Sequence, residues 1–216
     1  MRHLLLCAAL IAAGFAQAQA VRAQTAPVQA APVQAAQPKY DAVFAEQMFA
    51  GKVDQDKAYA CFVRVYDAAH LARHPLQKVK SMKLLVTGEK SSDLPVLGYS
   101  FRLGLNFRNR KGNFDSSGSC GSAGITESPA HKTMLGCGVD CDGGGISVEM
   151  TPDNKATLVR LDRIRIWQNN KPDDEGLDLS GGADDKIFRL DRANLDLCRS
   201  LITDRKELAA MRTLKK

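Results

Sequence analysis

The sequence predicts a mainly β domain, built as an antiparallel sandwich or an open barrel, with a short N-terminal helix and a C-terminal helix. Two observations carry this prediction. Apolar and polar residues alternate along several segments, most clearly over 99–108, YSFRLGLNFR, and this period of two is typical of a strand with one face on a core and one in water. Turn residues separate these segments, as in DGGG at 142–145 and TPDN at 151–154.

The first residues predict export. Arg2 and His3 precede an apolar run, and Ala18-Gln19-Ala20 provides a cleavage pattern, so residues 1–20 are interpreted as a signal peptide. Residues 21–39 are rich in Ala, Pro, Gln and Val and repeat APVQA, a composition that favours an extended tether. Residues 40–216 then have the length of a single domain.

A short helix is expected from a cap at Asp41 to a stop at Gly51, with Tyr40, Val43, Phe44 and Met48 on its apolar side. Strands are expected at 59–66, 79–86, 99–108, 113–120, 132–141, 146–150, 156–167 and 186–190. The acidic segment 168–185 is interpreted as a solvated loop. Asp191 is expected to cap a C-terminal helix with Leu195, Cys198, Leu201 and Ile202 on one side.

Charge and compartment limit the classes of partner. Lys and Arg number 30 against 24 Asp and Glu, a formal net charge of +6, which is far below the dense basic footprint of a nucleic-acid binder. No charge-free apolar run has the length of a membrane span. The sequence therefore predicts a periplasmic or secreted protein whose partner is an anionic envelope polymer or another envelope protein.

The cysteines predict a disulfide framework, since an exported chain meets an oxidising compartment. Cys61 lies in the first strand and Cys198 on the core side of the last helix, so we expect them to pair. Cys120 can pair with Cys137 or Cys141, and the shorter loop favours Cys137. Cys137 and Cys141 are too far apart on an extended strand to bond each other.

Metal binding is one possible activity. A helix starting at Asp67 would place His70 and His74 four residues apart on one face, with Asp67 as an oxygen ligand. The segment lacks the glutamate of the H-E-x-x-H motif, and Pro75 ends the helix directly after His74. Two structural histidines are the simpler interpretation, and no cofactor is predicted.

Catalysis by a cysteine is a second possibility. Cys120 lies among glycines at 118–121, with His131 eleven residues later, and a cysteine nucleophile needs a nearby histidine. A disulfide at Cys120 is the competing interpretation, and it is favoured because a lone thiol does not stay reduced in an oxidising compartment.

A basic surface is the third possibility. Arg102 and Arg108 lie on the polar side of the clearest strand, and Arg163 and Arg165 project beside Trp167 on another. Arginines next to an aromatic ring suit an anionic ligand. The alternative is an ordinary solvated face with scattered ion pairs.

The sequence thus favours a non-catalytic, exported, disulfide-bonded binding protein of the bacterial envelope over an enzyme. An envelope hydrolase that uses Cys120 with His131, or a metal at His70 and His74, is the first alternative. A structural envelope protein without a discrete ligand is the second.

Overall fold

The computed structural model describes residues 37–91, 97–121, 134–169, 171 and 175–213. The predicted signal peptide, most of the predicted tether and His131 lie outside the described residues. The helices are α1 (Gln37–Phe49), α2 (Ala68–Arg73), α3 (Arg205–Thr213) and a 3₁₀ helix (Leu195–Leu201). The strands are β1 (Lys57–Val65), β2 (Val79–Lys90), β3 (Leu97–Phe107), β4 (Phe114–Gly121), β5 (Met134–Gly138), β6 (Gly144–Met150), β7 (Ala156–Gln168), β8 (Leu177–Ser180) and β9 (Ile187–Ala193).

The nine strands form one antiparallel sheet in the order β6-β5-β4-β3-β2-β1-β9-β7-β8, and β6 also pairs with β7. This extra pairing closes eight of the strands into a ring around a common interior. Strand β8 lies outside the ring and pairs with β7. Strands β1 to β7 follow each other round the ring in chain order, as expected of strands joined by short turns, and β9 lies between β1 and β7. The predicted mainly β antiparallel fold, with a helix near each end, is confirmed.

The interior is filled by the apolar side of each strand. Along β3, Tyr99, Phe101, Leu103 and Leu105 are all buried, as the alternation predicts. Two residues of α1, Phe44 and Met48, join the same cluster. Val43, which was expected on the apolar side of α1, is exposed instead, because only part of this helix surface contacts the sheet.

A second apolar cluster lies outside the ring. Tyr59, Cys61 and Leu85 pack there against the 3₁₀ helix and α3, which supply Cys198, Leu201 and Met211. The alternation alone suggested that the polar side of β3 lies in water. In the structure, part of this side is covered by the C-terminal segment. Leu201 packs so closely over Gly104 that a β-carbon at that position would lie 2.5 Å from Leu201 Cδ2.

Both predicted disulfides are present. Cys61 of β1 pairs with Cys198 of the 3₁₀ helix, 137 residues away, and fastens the C-terminal segment to the outside of the sheet. Cys120 pairs with Cys137 across directly opposed positions of β4 and β5. Cys141 is free and exposed.

Several element boundaries differ from the prediction. Helix α1 begins at Gln37 rather than at Asp41, with Pro38 in the first turn, where a missing N–H costs no helical bond. Strand β5 ends at Gly138, and Cys141 and Asp142 adopt positive φ in the turn that follows. Asn194, rather than Asp191, caps the C-terminal segment, because β9 continues through Asp191.

The segment 168–185 is not simply a solvated loop. It contains β8, whose sequence LDLS pairs with Arg163–Ile166 of β7. It also contains Asp185, which is fully buried and accepts hydrogen bonds from the backbone N–H groups of Lys78 and Val79. These bonds, and one from Leu76 N–H to Asp184, tie the segment to the loop before β2.

Among the described residues, no helix combines the length and the apolar character needed to cross a membrane.

Candidate functional site

The ring of strands opens between β1 and β9. These strands pair over only three positions, from Cys61↔Ala193 to Val63↔Asp191. Beyond that point β1 continues to Val65 along β2, and β9 starts back at Ile187 along β7. A cavity of about 480 Å³ occupies the gap. We call it the β1–β9 cleft, and it is lined by Arg64, Tyr66, His70, His74, Gln77, Ala183, Asp184, Lys186, Ile187 and Arg189.

Backbone groups of both strands face this cleft. Tyr66 N–H bonds to Lys80 of β2, and Arg192 N–H bonds to Lys155 on the β7 side. Successive backbone groups of a strand point to opposite sides, so the N–H and C=O groups of Val65, Ile187 and Arg189 point into the gap. In the described part of the chain they have no backbone partner there. The cleft is thus bordered by two unpaired strand edges.

One wall of the cleft is a stack of rings. The ring centroids of Tyr66 and His70 are 4.5 Å apart, and those of His70 and His74 are 4.3 Å apart. The Arg64 guanidinium lies 5.5 Å from the Tyr66 centroid. Burial raises the pKa of Tyr66 above its ordinary value.

A hydrogen bond fixes the ring of His70 in place. Gln77 is buried and donates through Nε2 to the carbonyl of Val79 at 2.7 Å. Its Oε1 faces His70 Nε2 at 3.0 Å and can accept a hydrogen bond from it. His74 Nδ1 lies 3.6 Å from Asp184 Oδ1.

The predicted metal ligands do not form a coordination site. Asp67 caps α2 by accepting the backbone N–H of His70 at 2.7 Å. The imidazole planes of His70 and His74 are only 24° apart, so their in-plane lone pairs do not converge on one point. In the described ranges, no group of three or more His, Cys, Asp or Glu residues could hold a metal ion.

The charge around the cleft is mainly positive. Arg64 and Arg189 share one carboxylate, Asp191, at 2.9 and 3.3 Å. Arg64 Nε is buried with no hydrogen-bond partner among the described residues. Among the residues that the structure describes, no carboxylate lies within ion-pair distance of Lys186. The cleft can therefore accept an additional anionic group.

A second cavity of about 370 Å³ lies on the other side of the loop before β2. We call it the Leu179 cavity. It is lined by Pro75, Leu76, Gln77, Lys78, Phe107, Asn109, Arg110, Ile166, Leu177, Asp178 and Leu179. Gln77 lines both cavities, which are separated by the bonds that Asp184 and Asp185 make to this loop.

The arginines predicted as one binding surface are not brought together. Strands β3 and β7, which carry them, do not pair with each other, and β4, which pairs with both, lies between them. Arg102 is held by Glu207 of α3. Arg108 donates to carbonyl oxygens around the end of α2, among them Leu71 and His74.

The arginines of β7 are partly neutralised by β8. Arg163 and Arg165 each lie 3.4 Å from Asp178. Trp167 is next to Arg165, beside Gly176. This group borders the Leu179 cavity through Asp178, whereas Arg102 and Arg108 serve the packing of helices.

The predicted cysteine nucleophile is not available. Cys120 is bonded to Cys137, and a sulfur in a disulfide cannot form the attacking thiolate. His131 lies outside the described residues.

Sequence reasoning missed the residues that border the cleft. Arg64, Tyr66, Lys186, Ile187 and Arg189 follow no motif, and their proximity depends on where β1 and β9 separate. A weak signal was present, because YDAAH at 66–70 places Tyr66 directly before the Asp67 cap and His70 in the first turn of α2.

Comparison with protein-family models, curated proteins and solved structures finds no match for this chain. The case for a function therefore rests on the geometry of the two cavities.

Proposed function

We propose that this chain is an exported, non-catalytic interaction protein of the bacterial envelope, and that the β1–β9 cleft binds an extended acidic segment of a partner protein. The single observation that carries the proposal is the pair of unpaired strand edges at Val65 and at Ile187 and Arg189. Unpaired edges bind extended peptides by adding a strand to the sheet.

The side chains at the edges support the same mode of binding. Val65 is 66% exposed and Ile187 is 45% exposed, so each offers apolar surface to a neighbouring strand. Natural proteins usually cover or charge such an edge, because it otherwise invites pairing with other chains. An edge left open beside a cavity is well placed for a specific partner.

Charge complementarity selects an acidic partner. Arg64, Lys186 and Arg189 line the cleft, whereas the carboxylates beside them among the described residues are two, Asp184 and the shared Asp191. An acidic side chain of the added strand would pair with Lys186. Each such charge-assisted bond is stronger than a neutral one.

Export and the absence of catalysis are parts of the proposal. Two disulfides are typical of proteins from oxidising compartments, and the segment 1–20 reads as a signal peptide. The hydrolase alternative loses its nucleophile in the bond between Cys120 and Cys137. A purely structural envelope protein would leave the open edges at the cleft without a role.

The test uses a fluorescent peptide that alternates valine with glutamate, followed by fluorescence anisotropy. We expect saturable binding that weakens with salt and is lost when lysine replaces glutamate in the peptide. Ile187→Pro should weaken binding by about tenfold, because proline removes the N–H that faces the cleft. Proline is tolerated at the first residue of an edge strand, so the fold should survive.

The controls separate strand pairing from charge attraction. Lys186→Glu should weaken binding, while Lys206→Glu, an equal charge change on exposed α3, should not. The proposal is wrong if Ile187→Pro binds the peptide as the unmodified protein does. It is also wrong if alginate, an anionic polysaccharide, binds in the cleft more tightly than the peptide.

A further inference from the structure

The Leu179 cavity has an apolar interior that is independent of the β1–β9 cleft. Ile166 and Leu179 form its floor and are almost fully buried. Leu76 and Leu177 stand at its rim with 64% and 37% of their surface exposed. A ligand that covered both rim leucines would remove apolar surface from water, the main driving force for binding in such cavities.

Two cations at this cavity lack acidic partners. Lys78 and Arg110 both line it, and neither has a carboxylate within ion-pair distance among the residues that the structure describes. Arg110 lies instead 5.8 Å from the ring centroid of Phe114. Both side chains are exposed and can turn towards a ligand.

The one carboxylate of the cavity is already neutralised. Asp178 is shared by Arg163 and Arg165, each at 3.4 Å. It does not compete for Lys78 or Arg110, and the two arginines add positive charge behind it. The cavity therefore combines an apolar floor with an uncompensated positive rim.

We propose that the Leu179 cavity binds a single-chain amphiphilic anion, whose apolar chain covers Ile166, Leu179 and the rim leucines. Its acidic group pairs with Lys78 and Arg110. A volume of about 370 Å³ is near the lower end for small-molecule sites, so the site suits one chain rather than a lipid with two.

The probe is decanoate, used below its micellar concentration and compared with decanol and decylamine. Binding is measured by isothermal titration calorimetry, because Trp167, the only tryptophan, follows Ile166 on the opposite face of β7 and does not line the cavity. We expect decanoate to bind about tenfold more tightly than decanol, and decylamine to bind more weakly than either.

Variants locate the site. Lys78→Ala with Arg110→Ala should reduce the affinity for decanoate to that for decanol and leave decanol binding unchanged. The matched double variant, Lys80→Ala with Lys111→Ala, removes two exposed lysines close by in sequence and should bind decanoate normally. Leu76→Ser should weaken both ligands, because it removes apolar contact and not charge.

Equal affinities for decanoate and decanol would overturn the inference, as would normal decanoate binding by the Lys78 and Arg110 double variant. Loss of decanoate binding in Lys186→Glu, with the Lys78 and Arg110 variant unaffected, would place the amphiphile in the β1–β9 cleft and also refute the inference. None of these three results measures peptide binding, so each of the two proposals can fail without the other.

Discussion

Arg102 and Glu207 form a two-point ion pair that joins β3 to α3. The guanidinium nitrogens lie 3.0 and 2.8 Å from the two carboxylate oxygens. Tyr59 of β1 donates its hydroxyl to the same carboxylate at 3.3 Å. A single glutamate thus holds α3 over two strands on the outside of the ring.

We predict that Glu207→Gln lowers the free energy of unfolding by about 2 kcal/mol, because it removes the negative charge that pairs with a partly buried guanidinium. Urea unfolding followed by circular dichroism measures the change. Arg199→Gln is the control, since its pair with Asp196 is long and exposed and should contribute less than about 0.5 kcal/mol. Equal losses in the two variants would contradict the prediction.

Tyr59 should make stability depend on pH in the alkaline range. Burial, followed by the charge of Glu207 and the hydrogen bond to it, raises the pKa of Tyr59 from 10.0 to about 12. Below pH 10 the hydroxyl is protonated in both states, and its contribution is complete. As pH rises from 10 to 12 the unfolded chain ionises first, so stability falls across that window.

Two measurements check this prediction. The absorbance of tyrosinate in the folded protein should include a late titration step that is smaller by one tyrosine in Tyr59→Phe, while Tyr66, whose pKa is also raised, still titrates late. The same variant should lose less stability between pH 10 and pH 12 than the unmodified protein. A late step of the same amplitude in Tyr59→Phe and in the unmodified protein would contradict the assignment to Tyr59.

The local pattern of the sequence was enough to predict most strands but not the site. Alternation identified β3 because Tyr99 and Phe101 point inward at every second position. The cleft depends on where β1 and β9 stop pairing, beyond Val63↔Asp191, and residues more than a hundred positions apart set that register. Local periodicity carries no information about such a distant partner.

The errors have the same origin. The alternation of LDLS at 177–180 is typical of a strand, but the surrounding acidic residues favoured a loop. Only pairing with β7 makes this segment a strand. Arg102 and Arg163 were grouped because each lies on the polar side of a strand. The order of strands, which no single segment encodes, leaves β3 and β7 unpaired with each other, with β4 between them.

The two disulfides should contribute unequally to stability. The Cys61–Cys198 bond closes a separation of 137 residues and the Cys120–Cys137 bond one of 17. In the chain-entropy model these closures are worth about 5 and about 3 kcal/mol. Urea unfolding of the two double alanine variants should therefore rank them in this order. Cys141→Ala should be neutral, since Cys141 is exposed and unbonded, and a reversed ranking would contradict the model.

Gly144 should not tolerate a side chain. Its φ is +72°, and a β-carbon there would lie 2.1 Å from the carbonyl oxygen of Arg163 on the neighbouring strand. Both the left-handed backbone and the clash with a paired strand oppose alanine, so we expect Gly144→Ala to lower the free energy of unfolding by about 3 kcal/mol. Gly182→Ala is the matched control, because a β-carbon at Gly182 meets no atom within 4 Å and its cost should stay within about 0.5 kcal/mol. Equal stability of the two variants in urea unfolding would contradict the prediction. It would mean that β6 and β7 are farther apart at Gly144 than in the structure.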